Sequence, residues 1–600
     1  MSTSRAVVAN GPSKPRVSEA EAFMNKAETE LLELSSAAER AGWVEETYIT
    51  LDTQKIAAKA DEAFIARTTQ LVAEAKRFEN LDLPSDLKRK FELLKLSLTL
   101  PAPNDPKLRA EATEVGSWLE AAYGSGKYCP QAGDSKCLGI DDLEERMAKS
   151  RDPKEQQAMW VGWHKIGAPM KDRYARFVEL SNQGARELGF ADTGAMWRAK
   201  YDMKPEQFSA DLERLWQQVK PLYLQLHAYV RKRLIEKYGA IAARPDGMIP
   251  ADLLGNMWAQ EWGNIYDIVA PPSAPATYDL GKILQARNTD AKQLVHYGER
   301  FFESLGLGAL PETFWQRAML TKPRDRDVVC HASAWDVDED QDVRLKVCLH
   351  MTTDDFTVVH HELGHLYYDL AYRTQPYLFR NGANDGFHEA IGDSIALSIT
   401  PEYLKKIGLI EDVPPVSADI PLLLRRALDR IAFLPFGLLI DKWRWQVFSG
   451  EIKPGDYNRA WWKLREEYQG VAPPVDRSEA DFDPGAKYHI PSNTPYARYF
   501  LAAIYQFQFY RGMCQAAGYS GPLNRCSVYA SKEAGSKFEA MLALGASKPW
   551  PAAMKVLTGE DRADAGALID YFQPLVDWLK TQNAGEKLGW TLPKNALVAD

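Results

Sequence analysis

Long apolar runs, an excess of basic charge and CxxC cysteine pairs are all missing from this 600-residue sequence. No apolar stretch approaches the ~20 residues that cross a bilayer, so we expect no membrane anchor. With a net charge of −9 at pH 7, the chain offers no basic face for nucleic acid. No two cysteines have the CxxC spacing of a zinc ribbon or a thioredoxin site. With 45% hydrophobic and 26% charged residues, the whole sequence has the composition of an ordinary globular protein.

The six cysteines form three pairs that are close in the sequence. The pairs are Cys129 with Cys137, Cys330 with Cys348, and Cys514 with Cys526. An even count in short-range pairs favours three disulfides and an oxidising compartment over six buried thiols. No Asn-X-Ser/Thr sequon occurs, and the first residues contain no apolar signal core. We therefore expect a periplasmic or secreted protein whose export signal is absent from this chain.

Helical periodicity dominates the sequence. Residues 18–100 are rich in Ala, Glu, Lys and Leu, with amphipathic stretches at Glu19–Ala41 and Ala57–Phe78. Further helices are predicted at Leu143–Ala148, Pro153–Ile166, Met170–Leu188, Pro205–Tyr238 and Ala291–Leu305. We expect a flexible segment at 1–17, followed by a single domain over 18–600. The predicted fold class is all-α with a minor β-hairpin.

That hairpin is the clearest strand-like pattern in the sequence. Asp327–His331 and Arg344–His350 are two short runs with strand character, and the acidic stretch Asp336–Asp342 between them indicates a turn. A disulfide between Cys330 and Cys348 would then join the two strands.

The strongest functional pattern is an HExxH motif that begins at His361 and ends at His365. On a helix, positions i and i+4 lie on one face, so both imidazoles point at one metal ion. Glu362 is rotated by about 100° from His361, which suits it to orient a water molecule. Histidine is scarce, at 10 of 600 residues, and six of the ten lie within 331–388. The motif predicts metal-assisted hydrolysis with Glu362 as the general base.

A catalytic zinc site needs a third protein ligand and one open position. The next predicted helix supplies Glu389 and Asp393, which are four residues apart and share a face. One carboxylate would bind the metal and the other would orient a ligand, while a surface position for Asp393 is the alternative. His388 competes with Glu389 as the third ligand, and spacing alone leaves both open.

Longer motifs give the sequence a family resemblance. They are NMWAQEW from Asn256, VVCHASAWD from Val328, HHELGH from His360, GFHEAIGD from Gly386, WRWQVFSG from Trp443, FDPGAKYHIPSNTPYARYF from Phe482 and GEKLGW from Gly585. Through them, about residues 20–590 resemble the angiotensin-converting enzyme family of zinc peptidyl-dipeptidases, in the form of a bacterial member. The resemblance implies a two-lobed helical ellipsoid with a deep central cleft, whose first helices, within 18–100, form a lid.

The same resemblance implies the residues of the metal centre. His361, His365 and Glu389 would bind Zn²⁺, with Asp393 behind them and Glu362 as the base. The resemblance therefore favours Glu389 over His388 as the third ligand, whereas the spacing alone leaves both open.

Further motif residues resemble the parts of the family's site that hold the substrate. His489 and Tyr499 resemble the pair of donors that stabilises the oxyanion. Gln260, Lys487 and Tyr496 resemble the anchor for the substrate's free C-terminal carboxylate, which would fix a two-residue product by its distance from zinc. Relatives that remove a single residue carry Arg in place of Gln260, and this difference favours release of dipeptides.

Two more features follow from the resemblance. His331, Ala332 and Ala334 resemble an edge strand that pairs with an extended peptide, and Phe433 is a candidate for an apolar side-chain pocket.

Chloride is the second cofactor that the resemblance implies. Tyr201 and Arg498 match one chloride site of the family. The other site keeps Trp461 and Arg465 but has His164 where many relatives have Arg, so we expect one chloride.

We expect oligopeptides with a free C-terminal carboxylate as substrates, inhibitors of the angiotensin-converting enzyme type as ligands, and a monomer. Three other functions stay open: a thimet-type helical oligopeptidase, a carboxypeptidase that removes single residues, and a peptide-binding homologue without catalysis. The complete HExxH motif argues against the last of these.

Overall fold

The computed structural model describes residues 15–130, 137–271 and 278–592. Of the segment predicted to be flexible, only residues 15–17 are described, and the end of the predicted domain, 593–600, also lies outside the described residues. In chain order the helices are α1 (Val17–Thr47), α2 (Leu51–Ala75), α3 (Ser85–Leu96), α4 (Pro106–Gly124), α5 (Ile140–Lys149), α6 (Pro153–His164), α7 (Lys171–Glu187), α8 (Thr193–Ala199), α9 (Pro205–Tyr238), α10 (Tyr266–Val269), α11 (Leu280–Ala286), α12 (Ala291–Leu305), α13 (Glu312–Arg317), α14 (Thr353–Tyr372), α15 (Asp385–Leu397), α16 (Pro401–Lys406), α17 (Asp419–Phe448), α18 (Tyr457–Leu464), α19 (Ala497–Ala516), α20 (Lys532–Leu542), α21 (Trp550–Thr558) and α22 (Gly566–Gln582).

Each helix predicted from periodicity is present. α9 and α12 begin and end at the predicted residues. In α9, Pro205 occupies the first turn, where a missing N–H costs no helical hydrogen bond, and Gly239 ends the helix with a φ of 58°. Across the described ranges, no helix is long and apolar enough to cross a membrane.

The described residues also form four short strands. They are β1 (Ile249–Pro250), β2 (Ser333–Asp336), β3 (Val343–Lys346) and β4 (Val471–Ala472). β1 pairs in parallel with β4, and β2 pairs antiparallel with β3. The fold class is therefore all-α with a minor β-hairpin, as predicted.

The prediction that Asp327–His331 forms the first strand of the hairpin is wrong. The backbone of this segment bonds to the end of α1 instead, where the Val329 N–H donates to the Glu46 carbonyl at 2.8 Å. The strand that pairs with β3 begins only at Ser333, and β3 ends at Lys346, earlier than predicted. The Lys346 ammonium reaches the displaced segment and donates to the Val329 carbonyl at 3.1 Å.

Two main hydrophobic cores lie in the described chain, besides a third, small cluster around Trp43. The larger one joins α4 to α22, and the smaller one lies among the first helices, where Phe23, Leu71 and Leu94 are buried together. α1 also reaches the hairpin, because its Trp43 ring lies 5.7 Å from the Trp335 ring. The N-terminal helices thus bury their apolar faces against one another while one of them contacts β2.

The three predicted disulfides are confirmed. They join Cys129 to Cys137, Cys330 to Cys348, and Cys514 to Cys526. The second one closes the hairpin just beyond the ends of β2 and β3. Three disulfides fit a secreted or extracellular protein.

Candidate metal centre

The helix that carries the HExxH motif has a well-defined start. The Thr352 hydroxyl accepts from the Asp355 N–H at 3.0 Å, and the Asp355 carboxylate accepts from the Thr352 N–H at 2.9 Å. This reciprocal cap satisfies two backbone donors, and the acidic first turn opposes the positive end of the helix dipole. The cap fixes where α14 begins, and the motif lies in its middle with both histidines on one face.

α14 and α15 approach each other closely because each has a glycine at the contact. A Cβ atom built at Gly364 would lie 2.8 Å from the Gly392 Cα, a distance that real Cβ atoms do not show. The contact brings the α15 carboxylates of Glu389 and Asp393 to the face of α14 that carries His361. Small residues here thus set the spacing of the whole centre.

The two imidazoles of the motif and Glu389 converge on one point. His361 Nε2 lies 3.1 Å from His365 Nε2 and 3.7 Å from Glu389 Oε2. Glu362 belongs to the same cluster, since it, His361 and His365 each offer a donor atom within 4.8 Å of the others. The structure therefore brings together four of the residues that the sequence proposes for the centre.

The donor set fits a zinc ion. Two nitrogen ligands at about 2.0–2.1 Å from a tetrahedral ion lie about 3.3 Å apart, which is close to the 3.1 Å between the two Nε2 atoms. Two imidazole nitrogens at this distance either share a proton in a hydrogen bond or, with both lone pairs free, bind one cation between them. Two histidines and a glutamate are also the donors of catalytic zinc sites that keep a position open.

Burial governs the ionisation of these groups. It raises the pKa of Glu362 and of Glu389, and it lowers the pKa of His365 well below its ordinary value. Burial also acts to lower the pKa of His361, but the bond to Asp393 and the nearby carboxylates outweigh it and raise that pKa to about 9. The carboxylates around His361 thus favour a positive charge at the centre.

Asp393 is 6% exposed and so is not the surface carboxylate of the alternative prediction. Its Oδ1 lies 3.2 Å from His361 Nδ1 and accepts from Arg430 Nη2 at 2.8 Å, while its Oδ2 accepts from Gln506 Nε2 at 3.2 Å. Burial acts to raise the pKa of Asp393, but Arg430 and His361 lower it to about 2. Asp393 therefore stays ionised and holds His361 with Nε2 toward the centre.

His388, the alternative third ligand, lies on the other side of His365. Its Nδ1 is 3.4 Å from His365 Nδ1, and its Nε2 is 3.2 Å from the Tyr372 hydroxyl. Burial lowers the pKa of His388 to about 4, so the ring is neutral. Glu389, not His388, presents a donor atom beside the imidazole nitrogens of the centre.

A cavity of about 570 Å³ opens at the centre. Its lining includes both motif histidines and the segment from His331 to Asp336. The predicted peptide-pairing residues Ala332 and Ala334 lie in this wall, and a hydrogen bond from the Ala334 backbone lowers the pKa of Glu362. The edge segment and the metal centre therefore share one cavity.

Part of the cavity wall is acidic. Glu39 of α1 lines it together with Asp336, Glu339 and Asp369. Burial, with repulsion from neighbouring carboxylates, raises the pKa of Glu39 to about 7, that of Asp336 to about 6 and that of Glu339 to about 8. Because Glu39 belongs to α1, the N-terminal helices form part of this wall.

The two predicted oxyanion donors lie together. The rings of His489 and Tyr499 are 5.7 Å apart, and the Tyr496 ring packs against both of them, at 4.7 and 5.0 Å. Burial and nearby cations lower the pKa of His489 to about 2, and burial raises the pKa of Tyr499. Both side chains are therefore neutral hydrogen-bond donors. α19, which carries Tyr499, packs on the first turn of α15, where a Cβ at Gly386 would lie 3.3 Å from the Arg498 carbonyl.

The predicted carboxylate anchor also comes together. Lys487 is buried, and its Nζ donates to Gln260 Oε1 at 2.8 Å and lies 3.9 Å from the Trp258 ring and 5.8 Å from the Tyr496 ring. No carboxylate pairs with this ammonium in the described part of the chain. Burial lowers the pKa of Lys487 to about 8. Phe433 packs beside Tyr496, with ring centroids 5.9 Å apart.

The two candidate chloride positions differ in their donors. Among the described residues, the Tyr201 hydroxyl and Arg498 Nε are buried without a hydrogen-bond partner, and Arg498 Nη2 lies 3.4 Å from Asp385. Unsatisfied buried donors of this kind fit an anion. At the other position, His164 Nδ1 lies 2.8 Å from the Trp160 carbonyl, and burial lowers its pKa to about 4. His164 thus supplies no positive charge.

Sequence patterns missed the residues that hold the candidate ligands. Arg430 of α17 and Gln506 of α19 reach Asp393 from distant parts of the chain, and no local pattern marks either of them. Asp369 and Tyr372 could have been found, because they continue the HExxH face four and seven residues after its second histidine.

A mostly helical chain with HExxH on one helix and a carboxylate from the next has the architecture of the helical metallopeptidases. Comparison with known sequences names the family. The family model described as Peptidase M2, angiotensin-converting enzyme, matches residues 14–590. The chain belongs to this family of zinc metallopeptidases.

Individual proteins named angiotensin-converting enzyme match most of this chain. The angiotensin-converting enzyme of Mesocricetus auratus is 43% identical over 580 residues, which cover 95% of this chain and 44% of that protein. The one from Theromyzon tessulatum is 43% identical over 550 residues, or 90% of this chain and 88% of that protein. The one from Haematobia irritans exigua is 39% identical over 588 residues, or 96% and 95%. The chain thus spans less than half of the first relative and most of the other two.

Proposed function

We propose that this chain is a zinc-dependent peptidyl-dipeptidase that removes dipeptides from the C-terminus of oligopeptides. One observation carries the proposal: His361 Nε2, His365 Nε2 and Glu389 Oε2 converge beside a cavity that the edge segment around Ala334 also lines. In this proposal, these three side chains hold one Zn²⁺, and Asp393 keeps His361 in place.

The chemistry follows from the groups around the ion. A bound zinc ion acts as a Lewis acid that polarises the scissile carbonyl and lowers the pKa of a water molecule. Glu362 takes a proton from the water and gives it to the leaving amine, and its raised pKa suits a group that does both. His489 and Tyr499 donate hydrogen bonds to the carbonyl oxygen as negative charge develops on it.

The length of the released product is set by the carboxylate anchor. The Lys487 ammonium, with Gln260 and Tyr496 beside it, binds the free C-terminal carboxylate through charge-assisted hydrogen bonds. Because the ammonium has no carboxylate partner among the described residues, a substrate carboxylate meets an unpaired charge. A fixed distance between this anchor and the zinc ion selects the second peptide bond from the end.

The remaining predicted residues bind the rest of the peptide. His331, Ala332 and Ala334 pair with the substrate backbone along the edge of β2, and Phe433 forms an apolar wall for a side chain. The helices within 18–100 act as the lid of a single domain over 18–600, which excludes large folded proteins. The presence of Glu39 in the cavity wall supports this placement of α1.

Product analysis by mass spectrometry tests the proposal. A ten-residue peptide should lose C-terminal pairs in sequence, and both a zinc chelator and Glu362→Ala should stop the reaction. A thimet-type oligopeptidase would cut an amidated peptide as well as a free one, and a carboxypeptidase would release single residues. A peptide-binding homologue would bind zinc and peptide without any product. Each of these outcomes contradicts the proposal.

We further propose one chloride ion between Tyr201 and Arg498, next to the catalytic tyrosine. The two buried donors without partners support this position. The second position keeps Arg465, whose guanidinium lies 5.8 Å from the Trp461 ring, but its other candidate ligand is the neutral His164. Because many relatives have Arg in place of His164, this position has one cation fewer than theirs and attracts an anion less strongly, so a single chloride is expected.

The setting of the enzyme is the last part of the proposal. Three disulfides and the lack of N-glycosylation sequons support a bacterial protein of the periplasm. We also propose that it acts as a monomer and binds inhibitors of angiotensin-converting enzyme, because their carboxylate would meet Lys487. Analytical ultracentrifugation and inhibition assays test these two points.

A further inference from the structure

One face of α14 carries more than the two histidines of the motif. His361, His365, Asp369 and Tyr372 follow each other at intervals of four, four and three residues, so they lie along one side of the helix. His388 of α15 packs against the end of this row. His365 Nδ1 is 3.4 Å from His388 Nδ1, His388 Nε2 is 3.2 Å from the Tyr372 hydroxyl, and that hydroxyl is 2.5 Å from Asp369 Oδ1. An unbroken chain of hydrogen bonds therefore leads from His365 to Asp369.

These hydrogen bonds can all be assigned in one direction, from His365 as the first donor to Asp369 as the last acceptor. His365 Nε2 faces His361 Nε2 at the metal position, so the lone pair of His365 is there and its ring proton is on Nδ1. The Nδ1–H then donates to His388 Nδ1, which places the proton of His388 on Nε2. That N–H donates to the Tyr372 hydroxyl, and the hydroxyl donates to Asp369. Each donor has one acceptor, so all three hydrogen bonds can form at the same time.

We propose that Asp369 and Tyr372, acting through His388, are positioning residues that fix the tautomer and ring plane of His365. The proposal rests on the zinc site of the proposed function. A ligand histidine generally needs a partner for its second nitrogen, and this partner sets the orientation of the ring. The two histidines of the motif meet this need differently.

His361 has its carboxylate in direct contact, because Asp393 Oδ1 lies 3.2 Å from His361 Nδ1. His365 has no such neighbour among the described residues and reaches Asp369 through the His388 imidazole, whose Nε2 lies 3.9 Å from Asp369 Oδ1 and is also linked to it by the phenol. Asp369 accepts from the phenol whether or not it is ionised, since a carboxyl group keeps an acceptor oxygen in both states. The far end of the chain lies in the cavity wall, where Asp369 is one of the lining residues.

Metal affinity of the purified apoprotein tests this assignment without any measurement of turnover. Zinc would be titrated in competition with a chromophoric chelator. Tyr372→Phe, which removes a single oxygen atom, and Asp369→Leu should each weaken zinc binding by about tenfold or more, the usual effect of losing such a partner. Asp369→Asn should bind zinc more tightly than Asp369→Leu, because its amide oxygen still accepts from the phenol.

Tyr368 provides a matched control. Its ring also packs on His388, with centroids 4.6 Å apart, but its hydroxyl accepts from the Ala383 N–H and lies outside the chain. Tyr368→Phe therefore removes a buried phenolic oxygen from a ring that packs on the same imidazole and should leave zinc affinity within about twofold. If Asp369→Leu does not fold, Tyr372→Phe still decides the question.

The spectrum of the cobalt-substituted protein gives a second readout, which a purely structural role would not change. At saturating Co²⁺, Tyr372→Phe and Asp369→Leu should shift the visible absorption bands because the ring of His365 turns, and the double variant should match the more affected single one. Wild-type affinity and an unchanged spectrum in both single variants would overturn the proposal and leave the proposed function intact. A wild-type protein that binds no zinc would overturn both.

Discussion

Gly392 lies so close to His361 that a Cβ atom built on it would be 2.8 Å from His361 Nδ1. This is the same nitrogen that faces Asp393 at 3.2 Å. The absence of a side chain at one position of α15 therefore lets a candidate ligand of α14 keep its carboxylate partner.

The first prediction follows from this contact. Gly392→Ala forces His361 away from Asp393 and pushes α15 away from α14, so it should lower the free energy of unfolding by about 1–3 kcal/mol and weaken zinc binding. Calorimetry and zinc titration measure the two effects. Gly455→Ala is the matched control, because a Cβ there meets nothing within 4 Å. Equal zinc affinity of Gly392→Ala and the wild type would show that this contact does not set the geometry of the centre.

The pH dependence of substrate binding tests the role of Lys487. Burial lowers the pKa of this ammonium to about 8, so it is charged below that pH and loses its charge above it. KM for a peptide with a free C-terminus should therefore rise as the pH passes through about 8. Since bound carboxylate favours the charged form, the loss of activity caused by this ionisation should move to higher pH at saturating substrate.

An amidated peptide and one variant serve as controls for this profile. KM for the amidated peptide should be high and should not show the rise, because no carboxylate meets the ammonium. Lys487→Arg keeps its charge at every accessible pH and should flatten the profile. A wild-type KM that is constant from pH 6 to pH 10 would argue against Lys487 as the anchor.

The chloride dependence of the activity is expected to change when the Tyr201 hydroxyl is removed. Tyr201→Phe removes a buried donor with no partner in the described residues, so it should raise the chloride concentration for half-maximal activity by about tenfold, the effect of one hydrogen bond to a charged group. Activity measured from chloride-free buffer to high chloride gives the curve. Tyr505→Phe removes another buried phenol and should leave the curve in place. Flat activity of the wild type over this range would remove the basis for any functional chloride.

The disulfide between Cys330 and Cys348 should support substrate binding as well as stability. Replacing both residues with Ser removes the link that holds the segment before β2, so unfolding free energy should fall by about 3 kcal/mol and KM should rise. Replacing Cys514 and Cys526 should lower stability to a similar extent but leave KM unchanged, because this pair lies outside the cavity wall. Equal KM values for the two double variants would contradict a role of the first disulfide in the substrate cavity.

Local patterns predicted the helices well. α9 and α12 follow directly from periodicity, and the HExxH spacing alone places His361 and His365 on one face. Non-local contacts could not be predicted in this way. The segment Asp327–His331 alternates like a strand but bonds to α1, because a partner far away in the sequence offers the backbone hydrogen bonds.

The same distinction holds within the site. Spacing alone left both His388 and Glu389 open as the third ligand, and the packing of α15 on α14 shows which donor atom lies beside the imidazoles. The burial of Lys487 could not be predicted from the sequence either, because a lone lysine is usually exposed.

Zinc stoichiometry tests most directly whether two imidazoles and the α15 carboxylate share one ion. After dialysis against limiting zinc, the wild type and Glu362→Ala should each retain one equivalent, the latter without activity, because Glu362 moves protons and does not bind the metal. Glu389→Ala should lose most of its zinc under the same conditions. Full retention of zinc by Glu389→Ala, or its loss from Glu362→Ala, would contradict this arrangement of ligands and base.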